Sequence, residues 1–245
     1  MNEVADHGVE FPALCVGLDV PTVDEAERLA DDLDDVADVY KVGLELLAPD
    51  SRSAIDRILA HGAVFCDVKL HDIPRTVEAA ATALGRSGVS FLTVHLAGGV
   101  EMCTAAVSGA QAGAAKAGVP DPCVLGVTVL TSLPATRDDI RERLDIAVES
   151  GVGGVVCAAP DLDWVNAHLR DAGVEKVLVT PGIRPGGTDS GDQKRVATPE
   201  AALGAGADML VVARPIVAAP DPRAAATAIA DAVAAEAVAR AMRNR

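Results

Sequence analysis

Short apolar runs rich in Val and Leu recur along the 245 residues, separated by longer segments with apolar residues at three- and four-residue spacing. The runs fall at 13–20, 39–46, 63–70, 91–96, 123–130, 154–159, 176–183 and 209–215. Each predicts a strand. Helical patterns lie between them, for example at 23–33, 51–61, 137–150 and 222–240. Such alternation signals βα units and a parallel sheet. Eight units in succession with no hairpin signal favour an α/β fold of the closed (β/α)8 or TIM-barrel type, because closure leaves no exposed strand edge. A doubly wound open sheet is the alternative. The expectation is a single barrel domain over residues 1–245, with 1–12 as an N-terminal extension.

Composition agrees with a barrel core. Half of the residues are hydrophobic and only 2% are aromatic, so the interior must be filled by Val, Leu, Ile and Ala, which suit barrel layers. Charge narrows the function. With 21 basic against 36 acidic residues, a net charge of −15 repels polyanions and argues against nucleic-acid binding. The run Asp31, Asp32, Asp34, Asp35 reads as a solvated helix face. No long uncharged apolar stretch and no basic leader is present, which predicts a cytoplasmic protein without a membrane span. Five cysteines, Cys15, Cys66, Cys103, Cys123 and Cys157, have no metal-ligand spacing; they argue against a disulfide framework, and four of them sit in apolar runs as core residues.

The chemistry collects at the carboxyl ends of the predicted strands, where barrels place their active sites. In AVFCDVKL, Asp67 and Lys69 stand two residues apart, so a regular strand points both to one face. Lys41 lies within VYKVGLEL, and a buried ammonium there requires a carboxylate partner; Asp67 on the neighbouring strand is the natural one. Asp19 ends CVGLDV and Asp72 follows Lys69 by three. One barrel mouth would then hold alternating acids and amines. The bland explanation is a salt-bridge network that ties strands together. Against it, two of the chain's five lysines fall inside apolar strands near the mouth. A Lys flanked by carboxylates suits a general acid, whereas a Schiff base needs the free amine that those carboxylates disfavour.

After the seventh strand comes TPGIRPGGTDSGDQKR, a Gly-rich loop with Arg184, Gln193, Lys194 and Arg195, and the eighth strand ends in VVARPI with Arg214. Barrels often bind phosphate between these two loops, with Arg forks and close-approaching backbone N–H groups. A surface loop with exposed arginines is the alternative, but the loop exceeds the usual ~2–6 residues of such connections. His95 reads as a satisfied interior residue and Trp164 as packing.

From GLD near the start to VVARPI, the chain resembles the orotidine 5'-phosphate decarboxylases, in particular the bacterial form. DVKLHDIPRT at 67–76 is the most specific match, and TPGIRP with GDQKR at 180–195 is the second. The resemblance implies a cofactor-independent, metal-free carbon–carbon lyase. Such an enzyme converts orotidine 5'-phosphate to uridine 5'-phosphate (UMP) and carbon dioxide, the last step of pyrimidine biosynthesis. It further implies that Lys41, Asp67, Lys69 and Asp72 form the catalytic array, with Lys69 delivering the proton to C6. Asp19 and Lys41 would contact the ribose, Thr131 the pyrimidine, and Arg184, Gln193, Ala213 and Arg214 the phosphate. Asp67 would sit beside the departing carboxylate. Asp72 and Thr76 would serve the partner's site in a homodimer. Ala213 departs from the Gly usual in that family; it would cost ~1 kcal/mol if its φ were positive and little otherwise. Two rivals remain: a related barrel that acts on keto sugar phosphates with Mg2+, and a catalytically silent binder of phosphorylated ligands.

Overall fold

In the computed structural model, which describes residues 9–185 and 195–243, the expected strands close into a parallel barrel in sequence order. They are β1 (Ala13–Gly17), β2 (Val39–Gly43), β3 (Ala63–Leu70), β4 (Phe91–His95), β5 (Cys123–Val127), β6 (Gly154–Val156), β7 (Val177–Pro181) and β8 (Met209–Val212). The helices are α1 (Val23–Asp32), α2 (Leu44–Ile58), α3 (Pro74–Gly85), α4 (Gly99–Ala117), α5 (Arg137–Glu149), α6 (Leu162–Asp171), α7 (Pro199–Gly204), α8 (Arg214–Val217) and α9 (Pro222–Arg243). Among the described residues no helix is long and apolar enough to cross a membrane.

Seven strands stop short of the apolar runs that predicted them. The expected strand 39–46 ends at Gly43, and Leu44 already opens α2; the runs 91–96 and 154–159 end in single helical turns at Leu96–Gly98 and Ala159–Asp161. Surplus residues such as Val129, Leu130 and Cys157 lie in strand-to-helix connections and line the mouth of the barrel. The helix expected at 51–61 is the second half of α2. Asp50 leaves helical geometry there (φ −157°, ψ 81°) and its carboxylate caps the new start by accepting from Ser53 N–H at 3.0 Å. Elsewhere the caps lie where the sequence placed the ends. Thr22 caps α1, and Thr136 with Asp139 makes a reciprocal capping box on α5.

Alternate strand residues fill the barrel. Cys15, Val39, Phe65, Phe91, Leu125, Val179 and Met209 pack inside it, with Val9 and Phe11 against the same cluster. Phe65 and Phe91 meet edge to face at 6.2 Å. All five cysteines are free and buried; burial pushes the Cys66, Cys123 and Cys157 thiols up to about 12, so they serve as core residues.

Helices α3 and α4 approach closely because small residues line their contact. A Cβ on Gly113 would stand 2.2 Å from the Thr82 carbonyl oxygen, and one on Gly109 2.4 Å from that of Glu78. This packing anchors the helix that begins directly after the Asp72 loop. Gly113→Ala is expected to destabilise the fold by about 1–3 kcal/mol through forced separation of the helices. Urea unfolding checks this, and an unchanged midpoint would mean that the helices can slide apart freely.

Candidate active site

The carboxyl ends of the strands enclose a cavity of about 550 Å³. One end is charged. Lys41 projects from the middle of β2 into the mouth, where its ammonium donates to Asp19 Oδ1 at 2.9 Å and stands 4.0 Å from Asp67 Oδ2. Lys69 donates to that same Oδ2 at 2.6 Å. Asp19, Lys41, Asp67 and Lys69 thus form a row of alternating sign across the mouth. The row corrects one expectation, since the nearer partner of Lys41 is Asp19. Asp67 is already engaged by Lys69, and the long Lys41 stem carries its ammonium upward to the loop after β1.

Space for that stem comes from two glycines. The strand register sets Lys41 beside Gly17 and Asp67 beside Gly43. A Cβ on Gly17 would lie 3.0 Å from Lys41 Cε, and one on Gly43 3.2 Å from Lys41 Nζ. Burial disfavours the Lys41 ammonium, yet the carboxylates of Asp19 and Asp67 outweigh it and raise its pKa above the ordinary lysine value. Lys41 therefore remains charged at neutral pH.

Asp67 and Lys69 do share one side, but not by the regular period of a strand. Between the pairs Cys66–Leu92 and Leu70–Val94, β3 advances four residues while β4 advances two, so β3 bulges at Asp67–Lys69. Lys69 occupies the left-handed region at φ 48°, and is the non-glycine residue that does so among those described. That conformation costs about 1–2 kcal/mol, and strain of this kind collects at functional sites. The bulge folds the Lys69 side chain back over Asp67. Its freed N–H donates to the Thr93 hydroxyl at 2.9 Å, which in turn donates to Asp67 Oδ1 at 2.9 Å. Sequence reasoning missed Thr93, which sits fully buried in the apolar run FLTVH; a lone hydroxyl at an inward-facing strand position was the available signal.

On the β7–β8 side of the cavity lie Arg184, Ala213 and Arg214, with Gly182 between β7 and Arg184. Arg184 is only 8% exposed and donates to the Ile183 carbonyl at 2.8 Å, which rules out a freely solvated arginine there. The base of the long loop is clamped where Arg184 N–H donates to the Ala197 carbonyl at 2.8 Å. Ala213 has φ −118°, outside the left-handed region, so its methyl brings no left-handed strain. Arg195 turns away and pairs with Asp161. Gln193 and Lys194 lie outside the described residues.

Around the rest of the cavity, Val127, Val129, Leu130, Val156 and Pro181 form apolar walls, and Thr131 lines it beside Leu130. Glu45, also at the wall, was not singled out by the sequence. Asp72 and Thr76 are exposed and do not line this cavity; Asp72 Oδ1 accepts from Ile73 N–H at 2.6 Å. His95 stacks obliquely on His71 at 5.4 Å. Burial, with His71 and Lys69 nearby, holds its pKa below the usual histidine value, consistent with a neutral interior ring. Trp164 is partly buried against the core.

The chain is similar to proteins of one family along most of its length. Residues 12–229 match the family described as Orotidine 5'-phosphate decarboxylase / HUMPS. The orotidine 5'-phosphate decarboxylase of Moorella thermoacetica is 44% identical over 230 residues, covering 89% of this chain and 90% of that protein. That of Anaeromyxobacter sp. (strain K) is 45% identical over 229 residues, 89% of this chain and 96% of the relative. The crystal structure of orotidine 5'-phosphate decarboxylase from Lactobacillus acidophilus superposes with a TM-score of 0.76 at 32% identity, covering 90% of this chain and 98% of that one. With its barrel, its charged mouth and a match running nearly from end to end, the chain belongs to the orotidine 5'-phosphate decarboxylase family.

Proposed function

We propose that this protein decarboxylates orotidine 5'-phosphate to UMP and carbon dioxide in cytoplasmic pyrimidine biosynthesis, without metal or cofactor, as one barrel domain in a homodimer. The observation that carries this is the row Asp19–Lys41–Asp67–Lys69 in a cavity that Arg184 and Arg214 also line. An ammonium faces each carboxylate, so the negative charges are balanced by the chain itself. The arginines suit a phosphate, to which Gln193 and the backbone at Ala213 would add contacts. The apolar walls and Thr131 suit a pyrimidine, and Asp19 with Lys41 the ribose hydroxyls.

Bound this way, the substrate's carboxylate lies beside Asp67. As the bond from C6 to the carboxyl carbon breaks, its electron pair stays on C6 and carbon dioxide departs. Negative charge thereby moves away from Asp67 and towards the Lys69 ammonium, so the site favours the transition state over the bound substrate. Lys69 then gives a proton to C6 and recovers one from solvent.

Asp72 and Thr76 would complete the site of a second subunit. Their exposure outside the cavity supports this, as does Ile73, 64% exposed between them, with Leu44 and Leu133 also exposed after β2 and β5. Apolar side chains of this size at loop ends suit burial in a dimer. Mixing two inactive variants tests the arrangement. Lys69→Ala and Asp72→Ala subunits, exchanged to equilibrium, leave one intact site in each heterodimer, so about a quarter of wild-type activity should return. A mixture no more active than its separate components would exclude the shared site.

A further inference from the structure

Thr93 touches both members of the Asp67–Lys69 pair without reaching the cavity. It is fully buried on β4, among the apolar neighbours Phe91, Leu92 and Val94, where a hydroxyl is costly unless it is bonded. Its single proton goes to Asp67 Oδ1 and a lone pair takes the Lys69 N–H, both at 2.9 Å. The bulge explains the need for this. Lys69 stands where β3 has left the ladder, so its N–H has no strand carbonyl opposite and the Thr93 side chain stands in for one. The same hydroxyl fixes one carboxylate oxygen of Asp67 and leaves Oδ2 for the Lys69 ammonium at 2.6 Å. Backbone at 69, carboxylate at 67 and ammonium at 69 are therefore set by one side chain behind the site.

We propose that Thr93 is a positioning residue for decarboxylation, holding the bulged backbone of Lys69 and the rotamer of Asp67 so that the ammonium lies in register with the reacting carbon. This rests on the assignment of Lys69 as proton donor. The contribution belongs to the chemical step, because the Thr93 hydroxyl bonds to Asp67 and Lys69 and, among the described residues, to none of those assigned to phosphate, ribose or base.

Thr93→Val keeps the shape and removes both bonds, whereas Thr93→Ser keeps the hydroxyl. The valine variant is expected to lose about 100-fold in kcat, the scale of a misplaced catalytic group. Its Kd for UMP should change by less than about threefold, since uniform binding contacts are untouched. The serine variant should recover most of the loss. Thermal melting is recorded for each; if the valine variant does not fold, Thr93→Ala set against Thr93→Ser decides by the same criteria. A hydroxyl-free variant within about threefold of wild-type kcat would overturn the proposal. So would a serine variant as impaired as the valine one, or UMP affinity falling in step with kcat. Lys69→Ala, run alongside, separates the two levels. An inactive wild type or an active Lys69→Ala overturns the reading of the site itself, whereas an active wild type, an inactive Lys69→Ala and a fully active Thr93→Val overturn the role of Thr93 alone.

Discussion

Replacing Lys69 with Ala is expected to lower kcat by on the order of 10⁴-fold or more, above the usual yield of one general acid, because two functions are lost together. The proton donor for C6 disappears, and so does the cation that meets negative charge as it develops there. What remains is Asp67 Oδ2 with only the Lys41 ammonium, 4.0 Å away, so the carboxylate end of the site becomes net negative and binds an anionic substrate less well. UMP has no carboxylate at C6, and its affinity should fall far less than kcat. Stability should drop only by about 1 kcal/mol, since Ala tolerates φ 48° no better than Lys and the fold already carries that cost. Steady-state kinetics with UMP titration checks all three. A variant retaining a tenth of wild-type kcat would remove Lys69 from the mechanism.

The second large effect is expected on the β7–β8 side of the cavity. Arg214→Ala should lower kcat/KM by about 10²–10³-fold, the scale for truncating one partner of a hydrogen-bonded charge pair. Arg214 is the cleaner test than Arg184. The former is exposed at the start of α8, whereas the latter is buried and tied to the Ile183 carbonyl, so its removal would disturb the fold. Part of the loss should appear in kcat, because binding energy from the non-reacting phosphate helps to press the substrate carboxylate against Asp67. A phosphate-free nucleoside substrate should be nearly indifferent to the substitution. Equal kcat/KM for variant and wild type would place the phosphate elsewhere.

Much of this site was legible before any coordinates. Short continuous apolar runs that recur between amphipathic segments signal strands, and charged residues inside such runs stand out, which is why Lys41, Asp67 and Lys69 could be placed at one mouth. Arg184 and Arg214 were expected near the mouth because barrel phosphate sites gather after the last two strands, and both line the cavity. The strand ends were less legible. Residues such as Val129, Leu130 and Cys157 are apolar because they wall the cavity, and apolarity alone does not separate a strand from a buried connection. The bulge at Asp67–Lys69 left no trace at all. AVFCDVKL reads as a regular strand, and the extra residues become visible only against the register of β4. Thr93 was hidden for the same reason, since its worth depends on a backbone N–H that a regular ladder would have satisfied. The pairing of Lys41 with Asp19 likewise depends on how far a flexible stem reaches, which spacing along a chain does not encode.

Ultraviolet absorbance of orotidine 5'-phosphate, followed with purified protein in excess EDTA, separates a metal-free decarboxylase from its rivals. Rapid conversion to UMP is expected, at a rate unchanged by the chelator. Absence of conversion by folded protein, or activity that disappears with EDTA and returns with Mg2+, would contradict it.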